Sequence, residues 1–560
     1  MAACKKSTPT GGDVTPPTDT TVTVVTPTDP ETAKTIGFFL DDWAAKTFAA
    51  PAYKDGTVPA AGAATITVDA STVVTKIPAT LFSNNANLWM GDFTDATLLG
   101  HITNQHPGVI RFPGGSISDV FFWNAEKNVN PPGAPANLLN ADGVSSASGF
   151  WYGKNMEGWT CSVVNYYNML QQTGNEGMIT VNYGFARYGT GTDPVADAAH
   201  LAADWVRYDN GRTKYWEIGN ENFGSWEAGY RINTADNKDG QSEYLTGDLY
   251  GKHAKVFIDS MKKAAAEIGA TIYIGSQLVE HTAEGWEPTL TKTWNTGALP
   301  HVGALTDYFI VHNYYTAYQT NASTSEILLS AASSTTKMTE VVSQALTTAG
   351  VASKPLALTE YNIFSTGSQQ MVSQVAGMHA VLVINELMKN KYGFAARWDL
   401  ANGWDNGNDH GLYNAGDEPG AIKWNPRPAF YYLYYFQKML GDRLINTAVT
   451  GGNSLSTYAS TYSSGQIGVT IVNQSNTAQT AQLKFKNFNA GKRYYWYILT
   501  GDTGSGEFSR KVMVNEEGSS GISGGPDNYE NVKAYSAAVS GTVKVNIPAR
   551  SVVFMVVDKK

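Results

Sequence analysis

Short apolar runs alternate with amphipathic stretches between about residue 80 and residue 440. The apolar runs have the length and the β-branched and aromatic content of buried strands, and helical periodicity follows most of them. The eight strand candidates are TLFSNNAN (80–87), GVIRF (108–112), GMITVNYG (177–184), KYWEIGNE (214–221), TIYIGSQ (271–277), DYFIVHNYY (307–315), PLALTEYN (355–362) and FAARWDL (394–400). Eight strand–helix units predict an α/β fold, a (β/α)8 TIM barrel with its active site at the carboxyl ends of the strands.

The pattern changes after residue 440 to short alternating segments separated by turn residues, such as QIGVTIVNQ at 466–474 and SVVFMVV at 551–557. This spacing predicts a C-terminal antiparallel β-sandwich over 441–560. ATITVDAST in the lead-in segment 36–75 alternates in the same way, and we expect it to join the sandwich. The barrel then occupies 76–440. Because the sandwich carries no second acidic pair, we interpret it as a packing companion of the barrel, with glycan binding as the alternative.

The first 35 residues are rich in Pro and Thr and contain too little apolar surface to fold, which predicts a disordered tether over 1–35. Cys4 follows Ala-Ala and precedes two lysines, as at the cleavage boundary of a bacterial lipoprotein whose signal peptide has been removed. We therefore expect an extracytoplasmic protein, at the cell surface or in the periplasm, attached to the membrane through a lipidated Cys4. A chance cysteine in a flexible tail is the alternative.

Composition narrows the remaining function classes. The chain has 560 residues, of which 42% are hydrophobic and 16% charged, with a net charge of −9. Without a basic cluster, a nucleic-acid partner is excluded. The two cysteines exclude a disulfide framework and a cysteine-based zinc site. The sequence contains no run of 18 apolar residues, so it predicts no transmembrane helix.

Two glutamates carry the candidate chemistry. Glu221 ends the fourth predicted strand and Glu360 ends the seventh, so the two carboxyl groups face each other across the predicted barrel mouth. Cleavage of a glycosidic bond needs one carboxylic acid to protonate the leaving oxygen and one carboxylate to attack the anomeric carbon. This chemistry needs no cofactor and predicts a polysaccharide or oligosaccharide substrate. Glu217, at the opposite end of the fourth strand, is expected to be a buried structural partner.

Five segments resemble the clan A retaining glycoside hydrolases, and most closely family 51, the α-L-arabinofuranosidases with some endoglucanases. They are VIRFPGGSISDVFFW (109–123), MITVNYGFARYGTGTDPVADAAHLAADWVRYDN (178–210), YWEIGNEN (215–222), FIVHNYYT (309–316) and LTEYN (358–362). The similarity covers about 63–440 and the β-rich C-terminal region. The resemblance implies a retaining, two-glutamate double displacement, and with it an enzyme.

The resemblance also implies individual roles. Glu221 becomes the acid/base and Glu360 the nucleophile, while Asn220 binds the sugar 2-hydroxyl and His312 with Tyr314 lines the subsite of the cleaved sugar. We expect a raised pKa for Glu221 beside aromatic rings and an ionised Glu360. Candidate substrate contacts that complete the set are Arg111, Asn182, Trp226 and Trp398.

Alternatives remain open. Arg111 could form a salt bridge inside the barrel instead of contacting the substrate. Asp399, Asp405 and Asp409 suggest a calcium loop, although their spacing lacks the ordered alternation of such a site. The chain departs from family 51 at Thr359, Tyr361 and Ser116. Three function hypotheses follow: an α-L-arabinofuranosidase, which we favour, an endo-β-1,4-glucanase or xylanase with an extended cleft, and a non-catalytic glycan-binding lipoprotein.

Overall fold

The computed structural model of the protein describes residues 24–560. Eight parallel strands close into a barrel in sequence order, which confirms the predicted TIM barrel. The strands are β1 (Ser83–Asn85), β2 (Val109–Phe112), β3 (Glu176–Val181), β4 (Tyr215–Ile218), β5 (Tyr273–Gln277), β6 (Tyr308–Tyr314), β7 (Leu356–Asn362) and β8 (Phe394–Arg397).

A helix follows each strand and covers the outside of the barrel. These helices are α1 (Ala96–Gln105), α2 (Val163–Thr173), α3 (Pro194–Asp209), α4 (Gly247–Glu267), α5 (Thr289–Val302), α6 (Thr324–Ala349), α7 (Gln374–Lys389) and α8 (Pro428–Met439), with a short helix Gly184–Tyr188 before α3. Local sequence sets their ends. Ser323 and Glu326 form a capping box at the start of α6, and Gly350 ends it in the left-handed conformation.

A 3-10 helix, Gly37–Leu40, closes the amino-terminal end of the barrel. Phe39 is 4% exposed and lies 5.3 Å from the ring of Tyr215 and 5.6 Å from that of Phe394, at the first residues of β4 and β8. Phe38 stacks on Tyr273 at 3.7 Å. The carboxyl end of the barrel, where the two glutamates lie, is therefore the end left for a ligand.

The second layer is a sandwich built from one large sheet. Its strands are Tyr53–Asp55, Ala64–Lys76, Arg443–Thr450, Leu455–Thr461, Ile467–Asn473, Gln479–Lys486, Ala490–Gly501, Val512–Val514, Ala534–Ala538, Val543–Ile547 and Ser551–Lys559. The lead-in strand Ala64–Lys76 lies inside this sheet, antiparallel to Arg443–Thr450 and parallel to Gln479–Lys486. The sheet is therefore mixed at two pairings, the other being Tyr53–Asp55 with Ala534–Ala538.

The last strand shows how the sandwich packs on the barrel. Val552, Phe554 and Val556 belong to the core shared with the barrel, whereas the alternate residues Val553 and Met555 belong to the core inside the sandwich. Successive side chains of a strand point to opposite faces. One strand thus joins both cores, which makes the sandwich a structural partner of the barrel.

The N-terminal segment touches the folded body earlier than its composition indicates. Asp29 forms an ion pair with Arg443 at 2.6 Å, and Val25 donates a backbone hydrogen bond to Asn487. The contacts begin inside the segment assigned to the tether, because Asp29 supplies a charge that two basic groups of the sandwich can pair with. The predicted lipidation of Cys4 lies outside the described residues. Within residues 24–560, no helix is long and apolar enough to cross a membrane.

Three short pairs of strands lie in the loops that follow the barrel strands. They are Phe121–Phe122 with Trp151–Tyr152, Asn137–Leu139 with Ser145–Ala147, and Ala401–Asn402 with Tyr413–Asn414. The first two pairs shape the long loop between β2 and α2. The third belongs to the loop after β8. These loops surround the carboxyl end of the barrel.

Candidate active site

The two predicted catalytic glutamates come together at the carboxyl end of the barrel. Glu360 lies in β7, and Glu221 lies in the turn that follows β4, with φ at +44°. One carboxylate oxygen of each and a ring nitrogen of His312 all lie within 4.8 Å of one another. Two carboxyl groups this close belong to the range of retaining glycosidases, about 5–5.5 Å, and not to the wider range of inverting ones.

Glu360 is held through both of its oxygens. The Tyr314 hydroxyl donates to Oε1 at 2.5 Å, and the Arg111 guanidinium donates to Oε2 at 3.4 Å. Tyr314 itself stacks on Phe364 at 4.0 Å, which fixes the direction of its hydroxyl. Glu360 is 5% exposed. A carboxylate held in this way points one lone pair at a fixed place, as a nucleophile requires.

Glu221 has its own two partners. Nδ1 of His312 lies 2.9 Å from Oε1, and the indole nitrogen of Trp226 donates to Oε2 at 3.1 Å. Nε2 of His312 lies 3.0 Å from the Thr359 hydroxyl. Trp226 is 62% exposed, so it reaches from solvent to the carboxyl group. Predicted site residues His312, Tyr314 and Trp226 therefore all contact one of the two glutamates.

Arg111 is the centre of the network beneath the pair. It is fully buried and donates to Glu217 at 2.5 Å, to Asn85 at 2.8 Å and to Asn220 at 2.8 Å, besides Glu360. Glu217 is therefore the structural partner that its position in β4 predicts. Arg111 therefore forms the barrel ion pair that was its alternative role, and it also pairs with Glu360. Its contact with substrate stays a prediction.

The pKa directions of the two glutamates are the reverse of our expectation. Burial raises the pKa of Glu221, but the hydrogen bond and charge of His312 and the bond from Trp226 outweigh it, so that the net shift is downward. For Glu360, burial and the charge of Glu221 raise the pKa more than His312, Arg111 and Tyr314 lower it. We expected the aromatic rings near Glu221 only to exclude water from it. Trp226 and His312 also form hydrogen bonds with Glu221, and these bonds lower its pKa.

The glycines of the RFPGG segment explain the position of Trp398. Gly115 has φ at +59°, and a Cβ added there would lie 2.7 Å from the Trp398 ring. Trp398 also packs 6.0 Å from Trp89 and remains 7% exposed. A side chain at Gly115 would displace the indole, so glycine at this position leaves the space that the Trp398 ring occupies.

Asn182 does not join the two glutamates. Its amide nitrogen donates to the Phe121 carbonyl and to the Tyr188 hydroxyl, and its oxygen accepts from the backbone of Phe185. These bonds order the start of the short helix Gly184–Tyr188 and use the whole amide group. Asn182 is thus a structural residue beside the site. A residue at the end of a barrel strand can either bind a ligand or cap the next helix, and the sequence does not distinguish these two roles.

The aspartates of the calcium alternative are separated. Asp409 pairs with Arg427 at 2.5 Å and accepts from the Gly411 backbone, whereas Asp399 accepts from Asn87 and Asn402. Among the described residues, the one group of acidic and histidine side chains close enough to hold a metal is Glu221, His312 and Glu360. The Arg111 guanidinium already supplies positive charge beside Glu360, which disfavours a cation there.

Sequence reasoning missed two buried acids next to the pair. Asp119 accepts from the backbone of Asn220 at 3.1 Å, and Glu227 accepts from the Asn220 side chain at 3.1 Å. Asp119 lies in a short 3-10 helix, Gly115–Val120, and Glu227 lies in a loop, so neither belongs to a periodic pattern in the sequence. The sequence does contain one indication of them: each is a single acidic residue in a stretch rich in aromatic residues, SISDVFFW and FGSWEAGY.

Comparisons with known proteins agree with this geometry at the level of the fold. No protein-family model matches the chain, and no curated protein does. An α-L-arabinofuranosidase from Thermotoga maritima superposes with a TM-score of 0.59 at 16% identity, over 88% of this chain and 99% of that one. A family 51 α-L-arabinofuranosidase from Thermotoga petrophila gives 0.60 at 17% identity, over 88% and 100%.

A third solved structure comes from another family. The family 44 xyloglucanase of Paenibacillus polymyxa superposes with a TM-score of 0.57 at 13% identity, over 89% of this chain and 99% of that one. The barrel with an attached sandwich is therefore the architecture of known glycoside hydrolases, and this chain is a divergent example of it. Structures from family 51 and from family 44 thus share the fold of this chain.

Proposed function

We propose that the protein is a retaining glycoside hydrolase that acts on plant or algal polysaccharide through Glu221 and Glu360. The observation that carries the proposal is the distance of at most 4.8 Å between an oxygen of Glu221 and one of Glu360. That distance leaves room for a sugar carbon between the two carboxyl groups, but no room for the additional water that an inverting enzyme places there. The arabinofuranosidases of similar fold support the same reaction class.

In the first step, an oxygen of Glu360 attacks the anomeric carbon while the bond from that carbon to the leaving oxygen breaks. Glu221 gives its proton to the leaving oxygen, and the sugar stays bound to Glu360 as an ester. In the second step, Glu221 removes a proton from water, and the water oxygen displaces Glu360. Asn220 has one amide hydrogen not engaged by Glu227, and this hydrogen can donate to the sugar 2-hydroxyl.

Glu221 and Glu360 together hold one proton before the reaction begins. Catalysis uses the form with the proton on Glu221, while the surroundings favour the form with the proton on Glu360. A bound sugar whose leaving oxygen accepts a proton from Glu221 selects the productive form. Once Glu360 is esterified its charge is gone, which lowers the pKa of Glu221 and suits it to act as a base. The pH profile then belongs to the pair.

For the substrate, we favour an α-L-arabinofuranosyl side chain, supported by the arabinofuranosidases that share the fold. A specific observation supports the second candidate, an endo-glucanase or xylanase. Large aromatic side chains stand exposed in loops after β4, β5 and β6, namely Trp226 at 62%, Trp286 at 82% and Tyr318 at 69%. Exposed rings can stack on sugar units beyond the cleaved bond. Product size on arabinan, arabinoxylan, xylan and glucan separates the two candidates.

The test of the reaction uses the wild type with Glu221→Ala and Glu360→Ala on a panel of aryl glycosides. We expect the wild type to hydrolyse at least one of them and both variants to lose about a thousandfold or more in kcat. Azide should restore turnover to Glu360→Ala and give a glycosyl azide of inverted configuration. A wild type that cleaves nothing but binds glycans would support the non-catalytic alternative instead.

We further propose that the protein is extracytoplasmic and is tethered to a membrane through Cys4. The proposal is supported by the Ala-Ala-Cys-Lys-Lys start and by the Pro- and Thr-rich stretch after it. Expression of the chain behind a lipoprotein signal peptide should place it in the membrane fraction. Cys4→Ala should release it into the soluble extracytoplasmic fraction, and an unchanged distribution would contradict the assignment.

A further inference from the structure

Glu227 is a buried acid without a cation to balance it. It is 4% exposed, and within residues 24–560 no lysine, arginine or histidine forms an ion pair with it. Its Oε1 accepts from the Ser116 hydroxyl at 2.7 Å and from the Asn220 amide at 3.1 Å, and its Oε2 is buried without a partner. A buried carboxyl group bonded only to neutral donors is stable when it carries its proton.

Asp119 is the second buried acid and binds the residues on both sides of Glu221, the backbone of Asn220 and the side chain of Asn222. Its Oδ2 accepts from the backbone N–H of Asn220 at 3.1 Å and from the side chain of Asn222 at 2.9 Å. Its Oδ1 accepts from the backbone of Gly184 at 2.8 Å. Glu221 between these contacts has φ at +44°, a conformation that glutamate rarely adopts without support from its surroundings.

The charges around Glu227 oppose its ionisation. Burial raises the pKa of Glu227 well above its usual range, and the negative charges of Asp119 and Glu221 raise it further, against the bonds from Ser116 and Asn220. Burial also raises the pKa of Asp119 to about 7. Arg111, which reaches Glu227 only through Asn220, is bonded to Glu217, Glu360 and Asn220, so its charge is shared with other groups.

We propose that Glu227 is a positioning residue of the active site: its uncharged carboxyl group orients the Asn220 amide beside the acid/base Glu221, and its ionisation ends activity as pH rises. The proposal rests on the assignment of Glu221 as acid/base. Its geometric basis is a continuous chain of hydrogen bonds from Ser116 through Glu227, Asn220 and Arg111 to Glu360. A negative charge on Glu227 would therefore affect both Glu221 and Glu360 through this series of hydrogen bonds.

Glu227→Gln tests the proposal, because the amide oxygen of Gln can accept the same two hydrogen bonds but cannot ionise. We expect kcat at the pH optimum to stay within about twofold of the wild type, and the alkaline limb of kcat to move to higher pH by about one unit. Glu227→Leu removes the acceptor and should lower kcat about tenfold with little change in KM. Glu243→Gln, an acid in the same loop that pairs with Arg231 at the surface, should leave the profile unchanged.

Two results would overturn the proposal: a pH profile of Glu227→Gln that superimposes on that of the wild type, or a folded Glu227→Gln enzyme that is inactive at every pH. If the protein has no glycosidase activity, the pH dependence of its thermal stability still tests the protonation of Glu227. A glutamate whose pKa is raised in the folded state makes the protein less stable as pH rises above the unfolded pKa of about 4.3. The Tm of the wild type should then fall relative to that of Glu227→Gln as pH rises, whereas a constant difference would contradict an uncharged Glu227.

Discussion

At the scale of single residues, the two glutamates differ in what holds them. Tyr314 and Arg111 each bind one oxygen of Glu360, while His312 and Trp226 each bind one oxygen of Glu221. All four donors stabilise a negative carboxylate. The pair therefore resists taking up two protons, and the burial of both groups resists two charges. One proton for two carboxyl groups is the state that double displacement starts from.

Tyr314→Phe tests the support of the nucleophile. Loss of the 2.5 Å hydrogen bond raises the pKa of Glu360, so the acid limb of the pH profile should move to higher pH, because Glu360 must be ionised to attack. A hydrogen bond to a charged group contributes about 1.5–3 kcal/mol, which corresponds to a fall in kcat of about tenfold to a hundredfold. The measurement is kcat against pH.

The matched control is Tyr318→Phe. Tyr318 packs edge to face against Phe364, the ring on which Tyr314 stacks, but it is 69% exposed and does not contact Glu360. We expect its profile on an aryl glycoside to match that of the wild type. An acid limb that stays in place in Tyr314→Phe would show that this hydroxyl does not tune the nucleophile.

The sequence identifies the residues at strand ends and misses those in the connections that follow the strands. Glu221, Glu360, His312 and Tyr314 could be placed because parallel strands deliver their last residues to one face of the barrel. Asp119 and Glu227 could not, since one lies in a short 3-10 helix and the other in a loop, where no periodicity sets the direction of the side chain. The sign of the Glu221 shift was also out of reach, because it depends on which ring nitrogens point at the carboxyl group.

At the scale of elements, apolar runs and helical periodicity are enough to predict all eight barrel strands. Four strands of the sandwich were not predicted, because they are short or carry polar residues on the exposed face: Tyr53–Asp55, Arg443–Thr450, Val512–Val514 and Ala534–Ala538. The 3-10 helix Gly37–Leu40 was missed for another reason. Its two phenylalanines form no periodic pattern, and only the closed barrel provides the apolar cup that buries them.

Phe39→Ala tests the contribution of that helix. The side chain is 4% exposed among the rings of Tyr215, Tyr308 and Phe394, and its loss should leave a cavity that the rigid barrel strands cannot fill. Phe→Ala in such a core costs about 3–5 kcal/mol of unfolding free energy. Denaturant unfolding followed by fluorescence measures it.

A surface variant provides the comparison for Phe39→Ala. Leu305 is 37% exposed, and Leu305→Ala should cost less than about 1 kcal/mol. Because the 3-10 helix closes the end of the barrel opposite the glutamates, kcat of folded Phe39→Ala should equal that of the wild type. A loss of unfolding free energy no larger than that of Leu305→Ala would mean that the helix does not seal the barrel.

At the scale of the whole molecule, the barrel and the sandwich form one folded body. Ala64–Lys76 precedes the barrel in the chain yet pairs with strands that follow it, and Phe554 stacks 5.6 Å from Phe436 of α8. Ending the chain after residue 440 would leave both apolar surfaces uncovered. We expect that shortened chain to be insoluble or to lack a cooperative unfolding transition, whereas a soluble, active barrel would contradict this account.

Glu221 and Glu360 lie close enough together for double displacement. The stereochemistry of the first product tests this mechanism. Proton NMR of an aryl glycoside reaction, recorded before the released sugar can mutarotate, shows which anomer forms first. We predict the anomer with the configuration of the substrate. Initial release of the opposite anomer would require a water between the two carboxyl groups and would contradict the account.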